Sequence, residues 1–127
     1  MQQVPAKILI ADDSALMHKL IAALLPGTTL VHALDGTEAL SRLAEHPDVS
    51  LMIVDLDMPR LNGVELVRRL ATAGMLARVA VVVMTTEGKE QDAIACLRAG
   101  AAAYLRKPFQ HDELVDLVAR LQPPHGR

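Results

Sequence analysis

The side chains of this chain best suited to chemistry are carboxylates, and they fall in a pattern. Asp12 and Asp13 stand together near the N-terminus, and Asp55 opens the run Asp55-Leu56-Asp57-Met58-Pro59. Thr85, Thr86 and Glu87 follow one another further on, and Lys107-Pro108 comes last. Gathered into one crevice, Asp12, Asp13 and Asp55 repel one another. Two unit charges about 4 Å apart cost roughly 4 kcal/mol at an effective dielectric near 20. Such a site must raise a pKa, recruit a cation or exchange charge with a ligand. Hard oxygen donors with no imidazole beside them in sequence point to Mg2+, which is held by few carboxylates and keeps several waters. A carboxylate next to Mg2+ is also a nucleophile toward phosphorus, giving an aspartyl phosphate. Lys107 supplies a point charge for phosphoryl oxygens and Thr85 a hydroxyl donor. The set reads as an acidic pocket that accepts a phosphoryl group.

The elements that position these residues are legible in the apolar runs that precede them. Ile8–Ala11, Leu51–Val54, Val79–Met84 and Ala101–Leu105 read as strands buried on both faces. The second and third are rich in Val and Ile, as central parallel strands are. A weaker strand, Thr28–Ala33, follows the Pro26-Gly27 break. Between them the apolar spacing turns helical: Leu16, Leu20, Leu24; Val64, Val67, Ala71; Leu114, Leu117, Val118, Leu121. Thr37–Leu43 and Lys89–Leu97 are shorter helical candidates. Ser14 or Asp13 caps the first helix, and Asn62-Gly63 breaks the chain before the third. A βα unit repeated five times predicts an α/β fold, a five-stranded parallel sheet with helices on both faces. In such sheets ligands bind beyond the carboxyl ends of the strands, where the strand order reverses. With the order 2-1-3-4-5, strands one and three are neighbours, which brings Asp12, Asp13 and Asp55 together.

Composition narrows the class. At 127 residues, 51% apolar and 22% charged, the chain fits one ordinary globular domain. A net charge of −2, with no Trp, one Tyr and one Phe, offers neither a basic footprint nor a stacking platform for nucleic acid. The longest stretch free of Asp, Glu, Lys and Arg, Leu20 to Leu34, is broken by Pro26-Gly27 and falls short of the roughly 20 residues of a membrane span. The short apolar run before Asp12 makes no signal peptide, so a cytoplasmic location is expected. The single Cys96 sits among Ala93, Ala95 and Leu97 and reads as a small core hydrophobe. The histidines at 18, 32, 46, 111 and 125 show no ligand spacing, and no metal or phosphoryl-transfer role is expected of them. The six methionines are scattered and predict no Met-rich groove.

Over about Lys7 to Leu121 the chain resembles the receiver domains of response regulators, the CheY-like family. The likeness rests on Asp12-Asp13, Asp55-x-x-Met58-Pro59, Thr85 and Lys107-Pro108, each at its own strand end and in order. It implies that Asp55 is phosphorylated, that Asp13 binds Mg2+ directly with Asp12 assisting, and that the backbone carbonyl of Asp57 completes the protein ligands. Lys107 and Thr85 are then the phosphoryl-binding groups, and the Lys107-Pro108 peptide is expected to be cis. The implied output is a switch in which Thr85 moves toward the phosphoryl group and Tyr104 turns inward. That motion alters the face made by helix four, strand five and helix five. The implied partners are a sensor histidine kinase or a phosphotransfer protein, and a downstream protein such as a flagellar switch or a relay component. The resemblance further implies that the chain turns over no independent substrate and assists only its own phosphorylation and dephosphorylation.

Three positions depart from the usual pattern. Asp57 adds a negative charge two residues after Asp55, Thr86 stands where relatives often carry Ala or Gly, and Glu87 lies two after Thr85. All three are expected to tune phosphoryl lifetime. Residues 1–121 are expected to form the receiver domain and 122–127, beginning Gln122-Pro123-Pro124, a frayed tail. A chain ending at Arg127 leaves no output domain, so the output is expected to be docking on another protein. Two other readings stay open. Asp55-Leu56-Asp57 mimics the Asp-x-Asp of haloacid-dehalogenase-like phosphatases, although Pro59 stands where that motif needs Thr and Asp12-Asp13 lies upstream of it. A receiver that only docks is the other, against which Asp12, Asp13, Asp55, Thr85 and Lys107 all stand.

Overall fold

The computed structural model describes residues 7–121, and the expected tail at 122–127 lies outside the described residues. Five strands and five helices alternate along the chain. They are β1 (Lys7–Ala11), α1 (Ala15–Leu24), β2 (Thr29–Ala33), α2 (Gly36–Glu45), β3 (Leu51–Asp55), α3 (Gly63–Thr72), β4 (Ala80–Thr85), α4 (Glu90–Ala99), β5 (Ala103–Arg106) and α5 (His111–Arg120). A single 3-10 turn, Met75–Ala77, precedes β4. The strands form one sheet in the order β2-β1-β3-β4-β5, and every pairing is parallel. The order is the expected one, and it sets β1 beside β3.

Side chains alternate across each strand, so the continuous apolar runs feed two cores at once. Leu9, Met52, Val54, Val81 and Val83 point to the face covered by α2, α3 and α4, where Leu43, Leu66, Leu70 and Cys96 meet them. Ile8, Ile10, Ile53, Val82 and Met84 point the other way and pack on Ile21 of α1 and Leu114, Leu117 and Val118 of α5. The central strand β3 is buried along its whole length. That burial fixes the register of β1 against β3 (Ile8 beside Leu51, Ile10 beside Ile53), since a one-residue slip would turn each inward side chain to the wrong layer.

Helix starts are set by caps. Ser14, rather than Asp13, caps α1, accepting the Met17 N–H at 3.2 Å. Asp35 accepts from Glu38 N–H at 2.7 Å to open α2, and Asn62 accepts from Glu65 N–H at 2.9 Å to open α3. Gln110 and Glu113 form a reciprocal capping box on α5. One boundary moved. The last strand begins at Ala103 rather than Ala101 and runs on to Arg106. Gly100, at φ 122°, ends α4, and Ala101 packs into the core beneath α2, α3 and α4 before the strand starts. Its apolar character belongs to that core, so it extended the run without extending the strand.

Candidate functional site

The sheet delivers the chemistry-bearing residues to one edge. Asp12 and Asp13 follow β1, Asp55 is the last residue of β3, Thr85 the last of β4, and Lys107 follows β5. Because β1 and β3 are adjacent, carboxylate oxygens of Asp12, Asp13 and Asp55 lie within 4.8 Å of one another. Asp12 is fully buried and Asp55 nearly so, at 7% exposure, while Asp13 is exposed. Lys107 reaches across the sheet to both buried acids, with Nζ 3.3 Å from Asp12 Oδ2 and 3.4 Å from Asp55 Oδ1. Its backbone is anchored by donation from Lys107 N–H to the Thr85 carbonyl at 2.7 Å, and the Lys107-Pro108 peptide is cis.

The electrostatics of Asp55 follow from this packing. Burial pushes its carboxyl above the ordinary range, and the Asp12 charge pushes the same way. The Lys107 ammonium and the Asp57 N–H, 3.3 Å from Asp55 Oδ1, pull against both. Asp12 spends its second oxygen on the Ser14 N–H at 2.8 Å, which ties the acidic pair to the cap of α1. Three carboxylates against one ammonium leave an excess of negative charge in a partly desolvated crevice. All three donors are hard oxygens and one faces solvent, a set that fits a small, partly hydrated divalent cation such as Mg2+.

The remaining sequence-selected residues separate into two groups. Thr85 is buried, and its hydroxyl donates to the carbonyls of Thr86 and Lys89, each at 3.3 Å. The hydroxyl is thus held by the loop after β4. Thr86 is half-buried beside it. The Asp57 side chain is exposed and turns to Lys89, Oδ1 3.4 Å from Nζ, so its charge is answered by a cation rather than added bare to the crevice. Glu87 is 89% exposed and meets Arg106 at 3.7 Å. Tyr104 stands outward on β5, 51% exposed.

Several contributors escaped the sequence reading. Lys89 carried no strand-end signal, yet it bridges the loop after β4 to Asp57 of the loop after β3. Arg60, in the left-handed region at φ 64°, binds Asp35 Oδ2 with Nη2 at 2.7 Å and Nε at 2.9 Å, pinning the loop after β3 to the cap of α2. Gly63 presses its Cα against the backbone of Asp55 and Leu56, a contact visible in sequence only as an Asn-Gly break. His18 and His32, fourteen residues apart, face each other at 2.7 Å between Nδ1 atoms, a meeting that short-range ligand spacing could not reveal.

The relatives of the chain share this arrangement of elements. The family model for the response regulator receiver domain matches residues 8–119. A chemotaxis protein CheY homolog of Campylobacter jejuni is 36% identical over 108 residues, covering 81% of this chain and 82% of its own. The two-component response regulator ORR11 of rice (Oryza sativa) is 33% identical over 121 residues, covering 94% and 82%. Among solved structures, a response regulator receiver domain protein from Clostridium thermocellum superimposes with a TM-score of 0.84 at 30% identity, covering 91% of this chain and 93% of that one. With a family model matched over residues 8–119, relatives above 30% identity and a solved receiver superimposing along nearly its whole length, the chain belongs to the response regulator receiver family of two-component signalling.

Proposed function

We propose that Asp55 is the phosphoacceptor of this receiver and that Mg2+ is its cofactor. The observation that carries the reading is the convergence of Asp12, Asp13 and Asp55 within 4.8 Å beneath the Lys107 ammonium. An Asp55 carboxylate oxygen attacks phosphorus, a new O–P bond forms, and the P–N bond of a phosphohistidine donor breaks with its imidazole leaving. Asp13 and Asp12, with the carbonyl of Asp57, would hold the ion. When bound, Mg2+ screens the charge gathering on the phosphoryl oxygens. Lys107 sits within reach of the same oxygens and takes over from the Asp55 charge it now neutralises. Thr85 can trade its two backbone acceptors for a phosphoryl oxygen, which would shift the loop after β4.

The donor partner is a sensor histidine kinase or a phosphotransfer protein, and the output is altered docking on a downstream protein. Ile94, Leu97, Tyr104 and Val115 are exposed large hydrophobics on α4, β5 and α5, and they support that face as the docking surface. A flagellar switch or a relay component is the downstream protein proposed, beside relatives named for chemotaxis and for two-component response regulation. In this reading Tyr104 and Thr85 are the switch, Asp57, Thr86 and Glu87 tune phosphoryl lifetime, and the chain acts on no substrate but itself. Residues 1–121 are proposed as the receiver domain, of which 1–6 lie outside the described residues. Among the described residues no helix is long and apolar enough to cross a membrane, and a cytoplasmic site of action is proposed with it.

The test is incubation with acetyl phosphate and Mg2+, followed by intact mass measurement. One added phosphoryl group, lost in Asp55→Asn and in Mg2+-free buffer, is the expected outcome. Steady release of phosphate from a small phosphate ester would favour the phosphatase reading, and no adduct at any Mg2+ concentration would favour a receiver that only docks.

A further inference from the structure

His18 and His32 lie outside the acidic crevice and take no part in the chemistry proposed for it. His32 neighbours Ile10 in the β1–β2 register and therefore shares the sheet face that α1 covers, which is how a strand residue meets a helix residue fourteen positions away. His18 is buried, and its Nε2 lies 2.7 Å from the Asp12 carbonyl. A carbonyl only accepts, so His18 Nε2 carries the proton and, in the neutral ring, Nδ1 is left as a lone pair. That lone pair faces Nδ1 of the exposed His32, at 2.7 Å with the rings tilted by 57°.

We propose that His18 and His32 form a two-histidine site for a borderline transition-metal ion of the Zn2+ class. In the metal-free pair His32 Nδ1 donates to His18 Nδ1, and moving that proton to His32 Nε2 leaves two Nδ1 lone pairs on the same gap for an ion to take. Bonds of about 2.05 Å in tetrahedral geometry separate two nitrogens by about 3.3 Å, so the pair need open by only about 0.6 Å. His18 already has the outer contact that metal-bound histidines use, its second ring nitrogen donating to a carbonyl. Paired imidazoles favour Zn2+, Ni2+ or Cu2+ over Mg2+, so the site would not compete with the acidic crevice for its ion. An open hollow of about 370 Å³, lined by Ala15, Lys19, Ala22 and Leu34 as well as both histidines, leaves room for waters to fill the remaining coordination positions. Desolvation, His18 and Arg42, in that order, hold His32 below the ordinary imidazole range. The positive charges of Arg42 and Lys19 oppose a dication and set this as a site of moderate affinity.

Calorimetric titration with Zn2+ in excess Mg2+ tests the proposal on the whole chain. The parent should bind one Zn2+, and Asp13→Asn and His111→Gln should bind it within twofold of the parent. His32→Gln, a change at an exposed position that leaves the fold intact by circular dichroism, should weaken binding at least about tenfold. A Zn2+-dependent shift in the His18 and His32 ring resonances supplies a second readout that does not depend on any variant folding. Parental affinity in His32→Gln, loss of binding in Asp13→Asn, or no Zn2+ binding by the parent would each overturn the assignment.

Discussion

Replacing Gly63 by Ala separates the two things this residue does. Gly63 opens α3, and an alanine there would ordinarily gain up to about 1 kcal/mol of helix propensity. Its Cβ, however, would lie 2.6 Å from the Asp55 carbonyl oxygen and 2.7 Å from Leu56 Cα. Relief to ordinary contact requires the backbone of Asp55 and Leu56 to retreat by roughly 0.7 Å, and Asp55 ends the buried central strand with Leu56 buried just after it. Overpacking of this kind costs about 1–3 kcal/mol, so with the propensity gain taken off the net loss reaches about 2 kcal/mol, or a fall of up to roughly 8 °C in Tm. The displaced segment also carries Asp55 and the Asp57 carbonyl, so Mg2+ affinity should drop about tenfold as well. Gly27→Ala is the matched control: its φ of +82° makes alanine strained, yet nothing lies within 4 Å of the added Cβ. Urea unfolding and Mg2+ calorimetry on both variants give the readout. Gly27→Ala should lose stability alone, and Gly63→Ala both stability and Mg2+ affinity. A Gly63→Ala protein at least as stable as the parent, with parental Mg2+ affinity, would refute the reasoning.

Other consequences are as direct. Removing the α3 cap with Asn62→Ala should lower the urea midpoint by the equivalent of about 1 kcal/mol with m unchanged, and no change would deny the cap its role. Asp35 is held below its usual 3.8, first by the Glu38 N–H and then by Arg60. A depressed carboxyl stabilises the fold above its unfolded pKa and loses that contribution as pH falls through the folded value. The stability difference between the parent and Asp35→Asn, which keeps a capping side chain, should therefore be full at neutral pH and shrink below about pH 4; a difference that stays constant to about pH 2 would contradict this. Asp57→Asn breaks an exposed pair with Lys89 and should move stability by under about 0.5 kcal/mol while changing the decay of phosphorylated protein. Glu87→Ala, at a far more exposed position, should change that decay less, and unchanged decay in both variants would remove these residues from lifetime control.

What sequence carried well was whatever depended on burial along a single strand. Leu51–Val54 and Val79–Met84 are apolar on both faces because layers cover both faces, and that continuity marked the residue at each carboxyl end. Asp12, Asp55, Thr85 and Lys107 were legible for this reason. What it carried poorly were contacts made between loops or between a strand and a helix. The Lys89–Asp57 pair joins the loop after β3 to the loop after β4, the Arg60–Asp35 pair joins the same loop to the one after β2, and neither leaves a periodic trace. The meeting of His18 and His32 needs the β1–β2 register and the seat of α1 together. Tyr104 could be named only through the family resemblance, and its outward position comes from the pleat of β5, where Leu105 takes the inward place.

The central claim is that one particular carboxylate takes the phosphoryl group. Phosphorylating the protein with acetyl phosphate and Mg2+, reducing it with borohydride and sequencing its peptides by mass spectrometry reads that carboxylate directly, because an acyl phosphate is reduced to an alcohol where a free carboxylate is not. Homoserine at position 55, and only there, is the predicted result. Reduction at Asp12, Asp13 or Asp57 with Asp55 untouched would contradict the account.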